Sequence, residues 1–161
     1  MLASILACDK NGGIGRNNKL PWPHNISDLK YFREKTNNSV IVMGRNTWDS
    51  LPKKPLPKRI NIVVSSSPVH QFPGADKVVY PQNLTNAFEQ LSDEYQKDVF
   101  CIGGAQLYRT LIPICDTVHL TRIHRDYIAD TKINLRLIED NFELHTVELG
   151  SYQSFEIWRK T

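Results

Sequence analysis

The chain is poor in groups that hold metals or form crosslinks. Its three cysteines, Cys8, Cys101 and Cys115, are odd in number, include no C-x-x-C pair and each sit in or beside an apolar run. That pattern predicts reduced, buried thiols in a cytosolic protein. The five histidines are scattered, with neither an H-E-x-x-H motif nor metal-ligand spacing, so no metal is expected. Charge of one sign is also missing. A formal net charge of +3 gives no support to a nucleic-acid or membrane partner. The apolar stretch at residues 1–8 turns polar at Asp9-Lys10. It is too short to span a membrane and lacks the basic flank of a signal peptide, so a cytoplasmic location is expected. There is no internal repeat, no low-complexity segment and no linker long enough to separate a second domain from the first. The 161 residues therefore predict one domain, 1–161, with a real core.

What the chain does have is a series of short apolar runs. Residues 2–8, 40–43, 60–64, 78–80, 99–102 and 117–123 read as strands. Asn25 followed by Asp28 marks a helix start, and that helix runs to about Thr36 with Leu29 and Phe32 on one face. Residues 46–51 suggest a short helix, Leu84, Ala87, Phe88 and Leu91 mark an amphipathic one, and another begins near Ala105. Residues 142–148 and 155–159 read as a closing hairpin around Gly150-Ser151. The alternation predicts a single-domain α/β fold. Its centre is a mostly parallel twisted sheet of about eight strands, with an antiparallel C-terminal strand and helices on both faces.

In such a sheet, ligands bind beyond the carboxyl ends of the strands. Several strands here end in glycine or serine at that edge: Gly12-Gly13, Gly44, Ser65-Ser66 and Gly103-Gly104. Each alone reads as a turn. Together they suggest a ligand with more than one phosphate, met by backbone N–H groups at helix starts. There is no G-x-G-x-x-G and no Walker A motif, so a dinucleotide would bind by another scheme. The paired glycines after a buried strand also tolerate an unusual peptide geometry. Asp28 has two readings, a first-turn acid that complements the helix dipole or a lone carboxylate in an apolar pocket facing an amidine-like substrate edge. Arg45 follows Gly44 at a strand end, where a phosphate role fits, and Arg59 could pair a substrate carboxylate through two bonds. Each could instead be a surface charge, the usual outcome for an arginine.

The order of motifs resembles the dihydrofolate reductase family over nearly the whole length. The matching blocks are Gly13-Ile14-Gly15 with Leu20-Pro21-Trp22, Asp28-Leu29-Lys30-Tyr31-Phe32, Val42-Met43-Gly44-Arg45-Asn46-Thr47-Trp48, Leu56-Pro57-Lys58-Arg59 and Ile102-Gly103-Gly104 with Tyr108. Thr121 and Asp130-Thr131 also fit. The resemblance implies NADPH-dependent reduction of 7,8-dihydrofolate to 5,6,7,8-tetrahydrofolate, supplying one-carbon and thymidylate metabolism. Hydride would reach pterin C6 and a proton N5. By the same resemblance Asp28 holds the pterin, supported by Thr121, with Leu20 and Trp22 beside the chemistry. Ile5, Leu29, Phe32, Leu51 and Ile102 wall the pocket, Arg59 binds the glutamate carboxylate, and Ala7, Lys54 and Tyr108 complete the substrate set. For the cofactor, Ala7 and Ile14 meet the nicotinamide carboxamide. Gly15, Asn18 and Leu20 belong to a mobile loop, residues 13–20, that closes over the ring. Arg45 with Ser65 and Ser66 would select the extra phosphate. Gly44, Asn46, Thr47, Ile102, Gly103, Gly104, Ala105, Gln106, Leu107 and Tyr108 line the rest, with a cis bond implied at Gly103-Gly104. Antifolate inhibitors are implied as further ligands. Three departures stand out: one extra residue between Trp22 and Asp28, Leu20 where methionine is frequent, and Gln106 where many bacterial members have arginine. Gln106 brings no charge, so a smaller preference for NADPH over NADH is expected.

Rival readings are a same-fold reductase of another pterin or a pyrimidine, and an inactive binding or structural homologue. A nucleic-acid binder using the basic loop 53–59 is a third, against which stand its prolines and the low net charge. Asp28 and Arg59 together favour folate, a ligand with both an aminopyrimidine edge and a carboxylate tail. With no long exposed apolar stripe in the sequence, a monomer is expected.

Overall fold

The apolar runs become the strands of one sheet. The computed structural model describes residues 1–161. In chain order the elements are β1 (Leu2–Cys8), β2 (Gly13–Gly15), α1 (Ile26–Thr36), β3 (Val40–Gly44), α2 (Arg45–Ser50), β4 (Ile60–Val64), β5 (Lys77–Val79), α3 (Leu84–Tyr95), β6 (Val99–Cys101), α4 (Ala105–Leu111), β7 (Thr117–Ile123), β8 (Thr131–Lys132), α5 (Arg136–Glu139), β9 (Phe142–Leu149) and β10 (Gln153–Lys160). Eight strands form the main sheet in the order β5-β4-β3-β6-β1-β7-β10-β9. The first six run parallel, and β10 is antiparallel to both β7 and β9. The predicted α/β sheet with its closing hairpin is the observed one.

Alternation along each buried strand divides the core. Leu6, Cys8, Val40, Val42, Ile62 and Val64 pack on one face with Phe88 and Leu91 of α3 and Leu111 of α4. Ala3, Ile5, Ile41, Met43 and Val63 pack on the other with Trp48, Phe72 and Phe100, and Tyr31 and Phe32 of α1 lie against them. All three cysteines are free and buried, and burial is the main cause that raises each thiol to about 12. Buried thiols of this kind are chemically inert, in line with the buried placement the sequence predicts.

Several details differ from the sequence reading: α5 has no counterpart in it, and the helix read at 46–51 lies at Arg45–Ser50. The strand expected at residues 78–80 lies at Lys77–Val79. The first loop, read as irregular, contains β2, which pairs antiparallel with the distant β8. A three-residue Gly-Ile-Gly strand has no period to detect, and its partner comes from beyond β7.

The chain passes from β1 to β3, β4 and β5 on one side, returns through β6, and crosses to β7 on the other side of β1. β1 is therefore the place where the strand order reverses, and the edge beyond its carboxyl end is where such a sheet opens a crevice.

Candidate active site

A cleft opens at that edge. Its inner end is a cavity of about 280 Å³ lined by Ala7, Ile14, Gly15, Asn18, Leu20, Asn46, Thr47, Ile102, Gly103, Gly104, Ala105 and Tyr108. A groove of about 550 Å³ continues it, sharing Asn46, Thr47, Gly104 and Ala105 and adding Gly44, Arg45, Gln106 and Leu107. Of the expected cofactor residues, only Ser65 and Ser66 lie outside both linings. They follow β4, where the Ser65 hydroxyl accepts from the Ser67 N–H at 3.0 Å. The sequence reading gave no site role to Leu6, Lys19, Ser50 and Thr131 in the cavity, or to Val64, Pro81, Leu84, Arg109 and Thr110 in the groove. Arg109 and Thr110 lie three and four residues after Gln106 on α4, so helical spacing from Gln106 would have found them. Asp130-Thr131 fits the family's motif order, but nothing local puts Thr131 in the cavity, because it arrives through the β2–β8 pairing.

The walls of the cleft follow from backbone demands. The Gly103-Gly104 bond is cis, as the resemblance implied, and Lys54-Pro55 is also cis, which nothing in the sequence reading anticipated. Gly103 has φ +109°, and a Cβ there would stand 3.1 Å from the Tyr108 ring, so only glycine fits. The Gly44 N–H donates to the Gly103 carbonyl at 2.9 Å, joining the ends of β3 and β6. Helices α2 and α4 both start here, at Gly44 and Gly104, and neither has a side-chain cap. Their first N–H groups are left for a ligand, which suits a pyrophosphate.

The loop over the cavity is held at two points. Asn17 and Asn18, at φ 52° and 61°, make a tight turn closed by the Arg16–Lys19 pair of backbone bonds. The Asp130 carboxylate accepts from the Asn17 N–H at 2.8 Å. Upstream, the buried Asp9 carboxylate accepts N–H bonds from Asn11, Gly13 and Tyr127 at 2.9, 2.8 and 2.9 Å.

Asp28 lies one turn into α1. The helix cap is Asn25, whose Oδ1 accepts from the Asp28 N–H at 3.1 Å. Burial pushes the Asp28 carboxyl above its ordinary value, and a hydrogen bond from the Thr121 hydroxyl offsets some of this. No cation pairs with it. Ionised groups are rarely left desolvated without a partner, so this carboxylate is poised for a ligand with matching donors. Nearby apolar side chains are Ile5 and Ile102, together with Phe32 and Leu51, all packed against the same core face. Leu29 follows Asp28 and is 41% exposed. Trp22 is buried edge-on to Tyr127, with ring centres 6.2 Å apart, and its indole N–H has no partner in the protein.

Arg59 is held beside α1. Its Nε donates to the Pro57 carbonyl at 2.9 Å, a terminal nitrogen donates to the Thr36 hydroxyl at 3.2 Å, and the guanidinium lies 5.9 Å over the Phe32 ring. Burial first, and Arg33 second, disfavour its charge, yet it has no carboxylate partner. Lys54 is exposed. Arg45 lies over the Phe72 ring at 5.4 Å with Asp49 at 3.8 Å, leaving it exposed at the groove.

Comparison with known proteins agrees with this geometry. The family model described as dihydrofolate reductase matches residues 1–153. The dihydrofolate reductase of Bacillus subtilis (strain 168) is 38% identical over 151 residues, 94% of this chain and 85% of that protein. That of Buchnera aphidicola subsp. Acyrthosiphon pisum is 39% identical over 129 residues, 80% of this chain and 76% of that one. Among solved structures, dihydrofolate reductase from Enterococcus faecalis complexed with NADP(H) and RAB-propyl superposes with a TM-score of 0.87 at 32% identity, covering 100% of this chain and 96% of that one. With its fold, its glycine-lined cleft and these relatives in agreement, the chain belongs to the dihydrofolate reductase family.

Proposed function

We propose a residue-level account of how this cleft reduces dihydrofolate with NADPH. The reaction itself, NADPH-dependent reduction of dihydrofolate, comes with membership of the family. The observation that carries the account is a desolvated carboxylate with no cation partner, Asp28, in a fold that also opens a glycine-lined cleft.

The cleft fits the cofactor. The uncapped N–H groups that open α2 and α4, with Thr47 between them, suit the pyrophosphate. Arg45, with Ser65 and Ser66, takes the 2′-phosphate, while Ala7 and Ile14 receive the nicotinamide carboxamide. Bound there, NADPH supplies the hydride for pterin C6. Because Gln106 in the groove is uncharged, discrimination against NADH is modest. Matched initial rates with the two cofactors are expected to favour NADPH modestly, and Arg45→Ala is expected to remove most of that preference. Equal rates in the parent would take Arg45 and the serines out of this role.

Asp28 accepts from a pterin ring nitrogen and its amino group, and Thr121 holds the carboxylate for that contact. A buried anion raises the pKa of a neighbouring base, so Asp28 favours protonation of the substrate at N5. The proton reaches N5 from solvent past Leu20, which is 47% exposed at the mouth of the cavity. Trp22 offers its unpartnered N–H beside the ring, and closure of the 13–20 loop excludes bulk water. Ile5, Leu29, Phe32, Leu51 and Ile102 enclose the pterin and benzoyl groups, with Tyr108 behind them and Lys54 at the outer end. Arg59, desolvated and without a carboxylate of its own, takes the glutamate carboxylate. Antifolate inhibitors would fill the same pocket. The chain works as a monomer in the cytoplasm.

The test is loss of reduced-nicotinamide absorbance with dihydrofolate, in the parent and in Asp28→Asn. Prompt oxidation in the parent and a fall of about 10²- to 10⁴-fold in kcat/KM in the variant are expected. A variant as fast as the parent across pH would remove Asp28 from the mechanism.

A further inference from the structure

The helix that carries Asp28 is lightly held. Thr36 is the only fully buried residue of α1. An apolar face that shallow does not fix the rotation of a helix, so its few specific contacts decide where Asp28 points. The Asn25 amide donates to Gln153 Oε1 at 2.6 Å. Tyr31 stacks on Phe155 of β10, with ring centres 4.4 Å apart and planes 18° apart. The Tyr31 hydroxyl lies 3.4 Å from His119 Nδ1.

His119 is buried in the middle of β7, between Ile5 of β1 and Ile157 of β10, with its ring against Phe100. Two positions along the same face of β7 is Thr121, the partner of Asp28. Asp28 and Tyr31 are likewise one helical turn apart. The Tyr31–His119 contact therefore joins the face of α1 that carries Asp28 to the face of β7 that carries Thr121.

We infer that His119 is a positioning residue: by accepting a hydrogen bond from Tyr31, it sets the rotation of α1 and so aims the Asp28 carboxylate at the substrate. This rests on the function proposed above. The titratable groups around the imidazole come from α1, namely Tyr31 and Lys35, with Asp28 one turn away and Glu148 of β9 acting on Tyr31. The strand neighbours Ile5, Phe100 and Ile157 carry no charge. Burial, with Lys35 second, lowers His119 to about 4, and burial raises Tyr31 to about 12. Around neutral pH both groups are uncharged, and in the inferred pairing the phenol donates to the bare Nδ1 of the Nε2–H tautomer. Small misplacements of a catalytic group cost far more than one hydrogen bond's stability.

Three variants test this. Tyr31→Phe removes the donor, His119→Leu removes the acceptor, and His119→Asn keeps an acceptor near the place of Nδ1. Kinetic constants for dihydrofolate and for NADPH are measured across pH, with the double variant Tyr31→Phe/His119→Leu alongside. Expected for each of the first two is a loss of about tenfold in kcat/KM for dihydrofolate and a displaced acidic limb of its pH profile, with the NADPH KM unchanged. The double variant should lose no more than either single, and His119→Asn should stay near the parent. The ¹⁵N resonance of His119 Nδ1 should move toward that of a free acceptor in Tyr31→Phe. Should His119→Leu fail to fold, Tyr31→Phe and His119→Asn still decide. Unchanged dihydrofolate constants, additive losses in the double variant, or an equal rise in the NADPH KM would overturn the inference. A folded parent that does not reduce dihydrofolate would instead overturn the proposed function.

Discussion

At the scale of single residues, the site is assembled from groups whose local settings are unfavourable. Gly103 sits at φ +109° against the Tyr108 ring, and Asp28 is a desolvated carboxylate with one hydroxyl to support it. Asp28 has a stability consequence with a definite sign. Its folded value is raised above the ordinary 3.8, so ionisation is a penalty on the folded state. That penalty is absent below pH 3.8, grows above it and is complete once the pH exceeds the folded value. Asp28→Asn removes it, while Thr121 can still donate to the amide oxygen. The variant is expected to be more stable than the parent by on the order of 1 kcal/mol at neutral pH, as when a group kept for function is neutralised. The gain should vanish near pH 3.8. Denaturant unfolding of both proteins at the two pH values checks this, and a variant less stable at neutral pH would mean that the carboxylate is stabilising. Its local pattern alone leaves Asp28 between a first-turn acid and a pocket carboxylate, and only the family resemblance decides between them. Its meaning depends on burial and on Thr121, which lies far along the chain, and neither is a local property.

At the scale of elements, what was legible and what was not divides by distance along the chain. The strands of the main sheet show because residues buried on both faces make short continuous apolar runs. α1 shows because Asn25 caps it, and the cleft edge shows because glycines follow β3 and β6. The β2–β8 pairing, the Asp9 brace and the His119–Tyr31 contact do not show, because each joins segments more than eighty residues apart. Asp9 is the clearest case. Burial pushes its carboxyl up, but N–H bonds from Tyr127, Gly13 and Asn11 together pull it below the ordinary value. One side chain thus closes the start of the 13–20 loop on itself and ties it to the segment after β7. Asp9→Ala leaves three backbone donors without their acceptor, two of them at the loop. The expected cost is about 2–4 kcal/mol, measured by urea unfolding, with faster hydrogen exchange at the Gly13 and Tyr127 amides than elsewhere in the sheet. A loss below about 0.5 kcal/mol, the size of an ordinary surface change, would mean that water replaces the carboxylate freely.

At the scale of the whole molecule, stability gathers these settings into one curve against pH, and His119 dominates a particular window of it. Its value falls from 6.5 to about 4 on folding, because the imidazole is buried and Lys35 is near. The unfolded chain therefore takes up a proton that the folded chain refuses between those two pH values. Stability is full above pH 6.5, declines as the pH falls toward about 4, and from this group declines no further below that. At about 1.4 kcal/mol for each pH unit, the loss is on the order of 3 kcal/mol, a large share of a small domain's total. Asp9, with a lowered carboxyl, acts in a separate window, since its contribution is lost only as the pH falls below 3.8. Asp28 works in the opposite direction, because its penalty is relieved by acid. A decline above pH 4 is thus the mark of the histidine. His119→Asn keeps the contact with Tyr31 and cannot be protonated there, so its unfolding free energy should hold or rise slightly from pH 6.5 to 4, where the parent's falls. Urea unfolding midpoints across that range decide the matter. Parallel curves for parent and variant would mean that water reaches the imidazole in the folded state, and that the closed seat between α1 and β7 opens far more readily than its burial implies.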